Sequence, residues 1–152
     1  MPSRVYRTVW SGEALIFLFG KKKTNTLPDP TTEISVKNRL QELCGGDDVL
    51  YRALSNLMFL DPEKITMSLE NILSEARDFE LKGNNIRAEV GYRIAGGVSL
   101  YKGDLEGVRT YFSKASSFAR DAHPEYTTLA KRADEAVSVA RKYYESSESV
   151  KV

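Results

Sequence analysis

The hydrophobic pattern of this chain changes character near residue 33. Before that point apolar residues come in two short runs. The first, Val5-Tyr6-Arg7-Thr8-Val9-Trp10, is rich in β-branched and aromatic residues and by itself reads as a strand. The second, Ala14-Leu15-Ile16-Phe17-Leu18-Phe19, admits two readings. It can be the partner strand of a hairpin turned at Ser11-Gly12. It can also be a short helix capped by Ser11 and closed by Gly20, with Lys21 to Lys23 at the negative end of its dipole. The helix collects more independent signals and is the preferred reading. Residues 21–32 hold Pro28 and Pro30 among turn formers and read as a loop. Residues 1–32 are therefore expected to form an N-terminal arm.

From residue 33 apolar residues recur at spacings of three and four, the signature of amphipathic helices. A helix over 33–44 aligns Val36, Leu40 and Leu43, and Gly45-Gly46 stop it. Asp47 can cap the next helix, in which Val49, Leu50, Ala53, Leu54, Leu57 and Met58 are expected to be buried, up to Leu60. Asp61-Pro62-Glu63 supply a capping carboxylate, a proline at the first helical position and an acid in the first turn, so a helix is predicted to start there. Its stripe is Ile65, Leu69, Ile72, Leu73, Ala76 and Phe79. Helices over 85–101 and 105–121 follow. His123-Pro124 open a last, continuous helix whose Tyr126, Leu129, Ala133, Ala136, Ala140 and Tyr143 make a seam of seven-residue period. The helical domain spans 33–146 and residues 147–152 are expected to be a flexible tail.

Two turns repeat at a spacing of 20 residues, Lys82-Gly83-Asn84 and Lys102-Gly103-Asp104. Glycine after a last helical turn can take the left-handed conformation that closes a helix, and Asn or Asp beside it can cap the following one. Equivalent small–aromatic–small stripes follow each turn: Ala88, Tyr92 and Ala95, then Val108, Phe112 and Ala115. Helices joined by such short turns run antiparallel. Residues 69–102 resemble a tetratricopeptide helical hairpin, with Ala76 and Phe79 on the first helix, Gly83-Asn84 at the turn and Ala88, Tyr92 and Ala95 on the second. A second frame from Glu89 places Tyr92 and Gly96, then Gly103-Asp104, then Phe112 and Ala115. Glu75 stands where that family carries Leu. Residues 66–101 with 124–144 also resemble the microtubule-interacting-and-trafficking domain, a short helical bundle with the same kind of turn. The expected fold is all-α: antiparallel hairpins in a tetratricopeptide-like array or bundle of about six or seven helices.

Composition narrows the function. Lys+Arg number 22 against 21 Asp+Glu, a net charge of +1, which argues against a protein built mainly to hold nucleic acid. One His and one Cys exclude a disulfide framework, an all-Cys metal cage and most Ser-His or Cys-His arrangements. No enzyme activity, cofactor or metal is expected. The apolar run 14–19 is far shorter than the roughly 20 residues of a membrane span, the basic cluster Lys21 to Lys23 follows it rather than precedes it, and no small-residue cleavage site is clear. A cytoplasmic location, with Cys44 as a free and buried thiol, follows.

The remaining reading is a non-enzymatic protein–protein interaction or scaffold module, with a protein partner or self-association. Its expected contact surfaces are the apolar segment with Leu15, Phe17 and Phe19, and the seam over 126–143. The tetratricopeptide resemblance implies a concave surface lined by polar positions of first helices, which in the second frame include Arg93, Gly97 and Tyr101. The alternative is a small nucleic-acid-associated protein using Arg4, Arg7, Lys21 to Lys23, Lys131 and Arg132 as a basic face. Gly91, Gly96 and Gly97 within one helix point to close helix contact, a kink or a ligand near the backbone. Glu75, Asp78 and Glu80 lie off the apolar stripe, where they could pair as ligands without a His. His123 is expected to be a capping or surface residue.

Overall fold

A computed structural model describes residues 39–57 and 61–148. The N-terminal arm, including Leu15, Phe17 and Phe19 and the choice between hairpin and helix there, lies outside them, as do residues 33–38 and Met58 to Leu60. Among the described residues every regular element is a helix. The chain is helical over 39–43, and Gly45 and Gly46 follow at φ 60° and 87°. Helix α1 is Asp48–Leu57, and a 3-10 turn Pro62–Lys64 precedes α2, Leu69–Leu81. Helices α3, Asn85–Lys102, and α4, Leu105–Ala119, follow directly. A second 3-10 turn, Arg120–Ala122, leads to α5, Pro124–Lys131, and α6, Ala133–Glu148.

The repeated turns are one device used twice. Gly83 and Gly103 sit at φ 73° and 72°. The Asn84 N–H reaches back to the Phe79 carbonyl and the Asp104 N–H to the Ser99 carbonyl, each at 2.9 Å. These bonds, with those of shorter sequence span from Gly83 to Glu80 and Gly103 to Leu100, satisfy carbonyls that a helix end leaves open. The same two polar residues then cap the next helix. Asn84 Oδ1 accepts the Arg87 N–H at 3.3 Å, and Asp104 Oδ1 accepts the Gly107 N–H at 3.0 Å. Stop and start are thus separated by three residues at the first turn and two at the second, which folds α2, α3 and α4 back against one another.

Helix α3 is the centre. It packs along α2 on one side and α4 on the other, while α5 lies against α4 and α1, and α6 against α3 and α4. Ile94 to Leu100 are all buried, as an axis with neighbours on both flanks requires. The helix is continuous through Gly96-Gly97, and Gly96 serves close contact. A Cβ on Gly96 would stand 2.7 Å from Cε2 of the fully buried Phe112.

Five expectations need correction. The helix predicted from Asp61 is only the 3-10 turn. Asp61 Oδ1 does accept the Glu63 N–H at 3.1 Å, but the chain leaves helical geometry after Lys64, and Ser68 caps α2 by accepting the Asn71 N–H at 3.2 Å. Val49 is 59% exposed, because the inward stripe of α1 is the narrower set Leu50, Ala53, Leu54 and Leu57. The last helix is divided at Arg132, whose backbone sits at φ −109°, ψ 37°. Its side chain is held there by Asp47 at the start of α1 and by Glu135. Finally, the seam is internal over most of its length: Tyr126, Leu129, Ala133, Ala136 and Ala140 are buried in the core, and Tyr143 at its end is half-buried. The helix also runs to Glu148, past the expected start of the tail.

Gly96→Ala should destabilise the domain despite alanine's gain in helix propensity of up to about 1 kcal/mol. The methyl forces Phe112 out of a closed site, which typically costs 1–3 kcal/mol. Urea unfolding of the variant against wild type measures the difference, and a more stable variant would refute the close-contact role.

Candidate functional site

The hairpin tip between α2 and α3 combines a rigid backbone with unsatisfied apolar surface. Leu81 is the last residue of α2 and Ile86 the second of α3. They are 85% and 75% exposed, on either side of the glycine-closed turn. Beneath them Phe79 is half-buried, with the Arg87 guanidinium 5.3 Å above its ring. The sequence carries a signal for this pair that the stripe analysis passes over. Leu81 falls two residues after Phe79 and Ile86 two before Ala88, out of step with a spacing of three or four, so neither side chain can join the buried face.

The polar residues between helices serve mostly as ties. Glu80 accepts the Tyr92 hydroxyl at 2.7 Å and the Lys114 ammonium at 2.8 Å, joining α2, α3 and α4, and Lys114 holds its carboxyl below the ordinary range. Glu89 accepts the Tyr126 hydroxyl at 3.1 Å, and burial pushes that phenol up to about 12. His123 stacks on the Tyr126 ring at 5.1 Å, with Nδ1 2.9 Å from Glu125 and Nε2 3.6 Å from Glu89. It occupies the capping position of α5 without a side-chain hydrogen bond to the backbone N–H groups of the first turn. Arg132 pairs with Asp47 and Glu135, and its hydrogen bond holds the Asp47 carboxyl down at about 2.

Of the residues expected at a partner surface, Arg93 is half-buried on α3 and faces the Tyr126 hydroxyl, so it belongs to this tie network. Tyr101 is 39% exposed at the far end of α3, with its ring edge-on to Tyr144 at 4.9 Å. The two stand about two helical turns apart on one helix and do not form one cluster. Cys44 is buried, and that burial, with Asp47 beside it, raises its thiol above the usual range. Among the described residues no group of three His, Cys, Asp or Glu is placed to hold a metal ion. No helix among them is long and apolar enough to cross a membrane. The basic-face residues Lys131 and Arg132 are adjacent, but Arg132 is occupied by its two carboxylates.

Glu75 departs most from expectation. It is buried at 5% exposure, and its Oε2 has no hydrogen-bond partner. Burial, reinforced by Asp78, lifts its carboxyl to about 7. Among the described residues, Ser99 Oγ is the other buried side-chain polar atom without a hydrogen-bond partner. No protein-family model matches the chain, and neither a curated protein nor a solved structure matches it.

The raised Glu75 carboxyl makes stability pH-dependent with a definite sign. An unfolded glutamic acid ionises near 4.5 and this one near 7 when folded, so the folded state is penalised progressively as pH rises between those values. Glu75→Gln should therefore be more stable than wild type at pH 8, by on the order of 3 kcal/mol at most. The advantage should vanish below pH 4.5. Denaturant unfolding at both pH values checks this; an advantage unchanged between them would rule out ionisation as the cause.

Proposed function

We propose that this domain is a non-enzymatic protein–protein interaction module of tetratricopeptide-like type that acts in the cytoplasm. The single observation that carries the reading is the exposed Leu81–Ile86 pair on a turn fixed by glycine and an asparagine cap. Aliphatic side chains left in water while the rest of the α2 and α3 stripes are buried are a feature of contact surfaces. A fixed backbone beneath them lowers the ordering cost of binding. Tyr101 supplies a second, aromatic contact on the same central helix, and Leu15, Phe17 and Phe19 of the N-terminal arm a third. The partner is another protein or a second copy of the chain.

The distribution of charge supports this reading over a nucleic-acid role. Arg109 lies between Glu106 and Asp134, Lys114 on Glu80, and Arg132 between Asp47 and Glu135. Cations committed to carboxylates in this way leave fewer free for phosphates.

The double variant Leu81→Ser with Ile86→Ser should fold like wild type and lose partner binding. Immobilised wild type, the double variant and an Arg109→Ala control should be compared for the proteins, or the tagged second copies, that they retain. The reading expects a set held by wild type and by the control but lost from the double variant. Equal retention by all three would overturn the tip as a contact site.

A further inference from the structure

The corner where α4 gives way to α5 holds a cleft of about 430 Å³ lined by Arg120, Asp121, Pro124, Thr127, Thr128 and Lys131. The last four stand at i, i+3, i+4 and i+7, so they form one face of α5, and the turn before it supplies the other wall. Its lining brings two cations, one carboxylate and two hydroxyls together with the apolar parts of the same side chains. Thr127 Oγ1 is 2.8 Å from Ser116 Oγ, a pair in which either can donate, and Thr128 Oγ1 reaches the Pro124 carbonyl at 3.4 Å. Arg109, Lys114 and Arg132 are each held by carboxylates. No such pair ties Arg120 or Lys131 among the described residues, and both are exposed.

Arg120 carries a second, independent mark. It is the one residue other than glycine with positive φ among the described residues, at φ 53°, ψ −123°. Those values belong to the first central position of a type II′ turn, where glycine dominates. A glycine would make this corner without strain. An arginine there carries a backbone cost that its side chain must justify, and side chains held in this way cluster at ligand sites.

We propose that this cleft binds a phosphorylated small molecule. Arg120 and Lys131 take the phosphoryl oxygens, and Asp121 accepts a hydrogen bond from a hydroxyl or amine of the same ligand. The guanidinium fork matches phosphoryl geometry and the ammonium adds a point charge. Two unpaired cations suit a dianion better than a single carboxylate. The volume falls in the range of small-molecule sites, roughly 300–1,000 Å³, and leaves room for an organic part beyond the phosphoryl group.

The test is titration of the full chain with inorganic pyrophosphate and with ribose 5-phosphate, read by amide chemical shifts, with sulfate as the control anion. Saturable shifts at Thr127 and Thr128 are expected for the phosphorylated probes. Arg120→Gly and Lys131→Gln should each weaken binding by about tenfold or more. Because glycine relieves the strained corner, Arg120→Gly should at the same time raise the melting temperature by about 2–4 °C. A more stable protein that has lost its ligand separates a binding role from a structural one, and Lys131→Gln tests the site without touching the turn. Three results would overturn the proposal: no saturation by either probe up to about 10 mM, a range in which weak sites still register; sulfate bound as well as the phosphorylated probes; or both variants binding like wild type.

Discussion

Helix α3 is buried over most of its length, and that sets the terms for the rest of the fold. A helix with one apolar stripe can rest on a single neighbour, but Ile94 to Leu100 turn every side inward, so partners are needed on both flanks. Those partners must be long, antiparallel and close, which only very short connections allow. The two glycine turns answer this directly, because each ends one helix and caps the next within two or three residues. Closeness in turn needs small residues. Ala88, Ala95, Gly96 and Ala115 are buried at these contacts, and the aromatic rings of Tyr92 and Phe112 fill the spaces they leave. The Phe112 ring then reaches the Tyr126 ring of α5 at 6.1 Å, which brings the last hairpin onto the same core.

The polar ties make sense on this scaffold. Glu80, Glu89 and Asp47 each join elements far apart in sequence, through Lys114 and Tyr92, through Tyr126, and through Arg132. Their partly exposed ion pairs add little stability individually. The Tyr126 hydroxyl is different, because its ring is fully buried and its oxygen must find a partner or be stranded; Glu89 and Arg93 provide it. This use of Arg93 also explains why a position that family resemblance assigns to a binding surface is spent inside the fold.

The helices and most of their boundaries were legible because local chemistry and tertiary packing agree there. The Lys-Gly-Asn and Lys-Gly-Asp turns, the Asp47 cap and the small–aromatic–small stripes all carry their geometry in residue type. Legibility failed where a distant contact overrode a local signal. Asp61-Pro62-Glu63 has every mark of a helix start, yet Ser68 wins the next helix. Nothing near Arg132 in sequence announces a break, because its anchor is Asp47, 85 residues away. The heptad seam had the right period and the wrong destination: a stripe of Ala133, Ala136 and Ala140 suits an interface within a chain as well as one between chains. Glu75 misled for a different reason. Off the apolar stripe it reads as a ligand partner for Asp78 and Glu80, whereas its burial depends on helix neighbours that the sequence does not name. The site features, Leu81, Ile86 and Arg120, were missed because each is an exception to a pattern, and stripes are found by averaging over exceptions.

Exceptions of this kind have to be divided by where their cost falls. Ser99 and Glu75 carry unsatisfied atoms inside the core, and their cost is one of packing. Ser99 Oγ sits so near Gly107 that the glycine is needed to make room for it, beside the Asp104 cap that starts α4. They belong to the close approach that α3 demands. The exposed exceptions have no such account. Leu81 and Ile86 fill no space, and Arg120 makes a turn that glycine would make without strain. Polar residues at 81 and 86 and a glycine at 120 would serve the fold equally well, since solvent-facing positions accept polar residues and a positive φ favours glycine. Interior exceptions therefore trace back to the close packing of the fold, whereas the exposed ones, at two separate corners, do not.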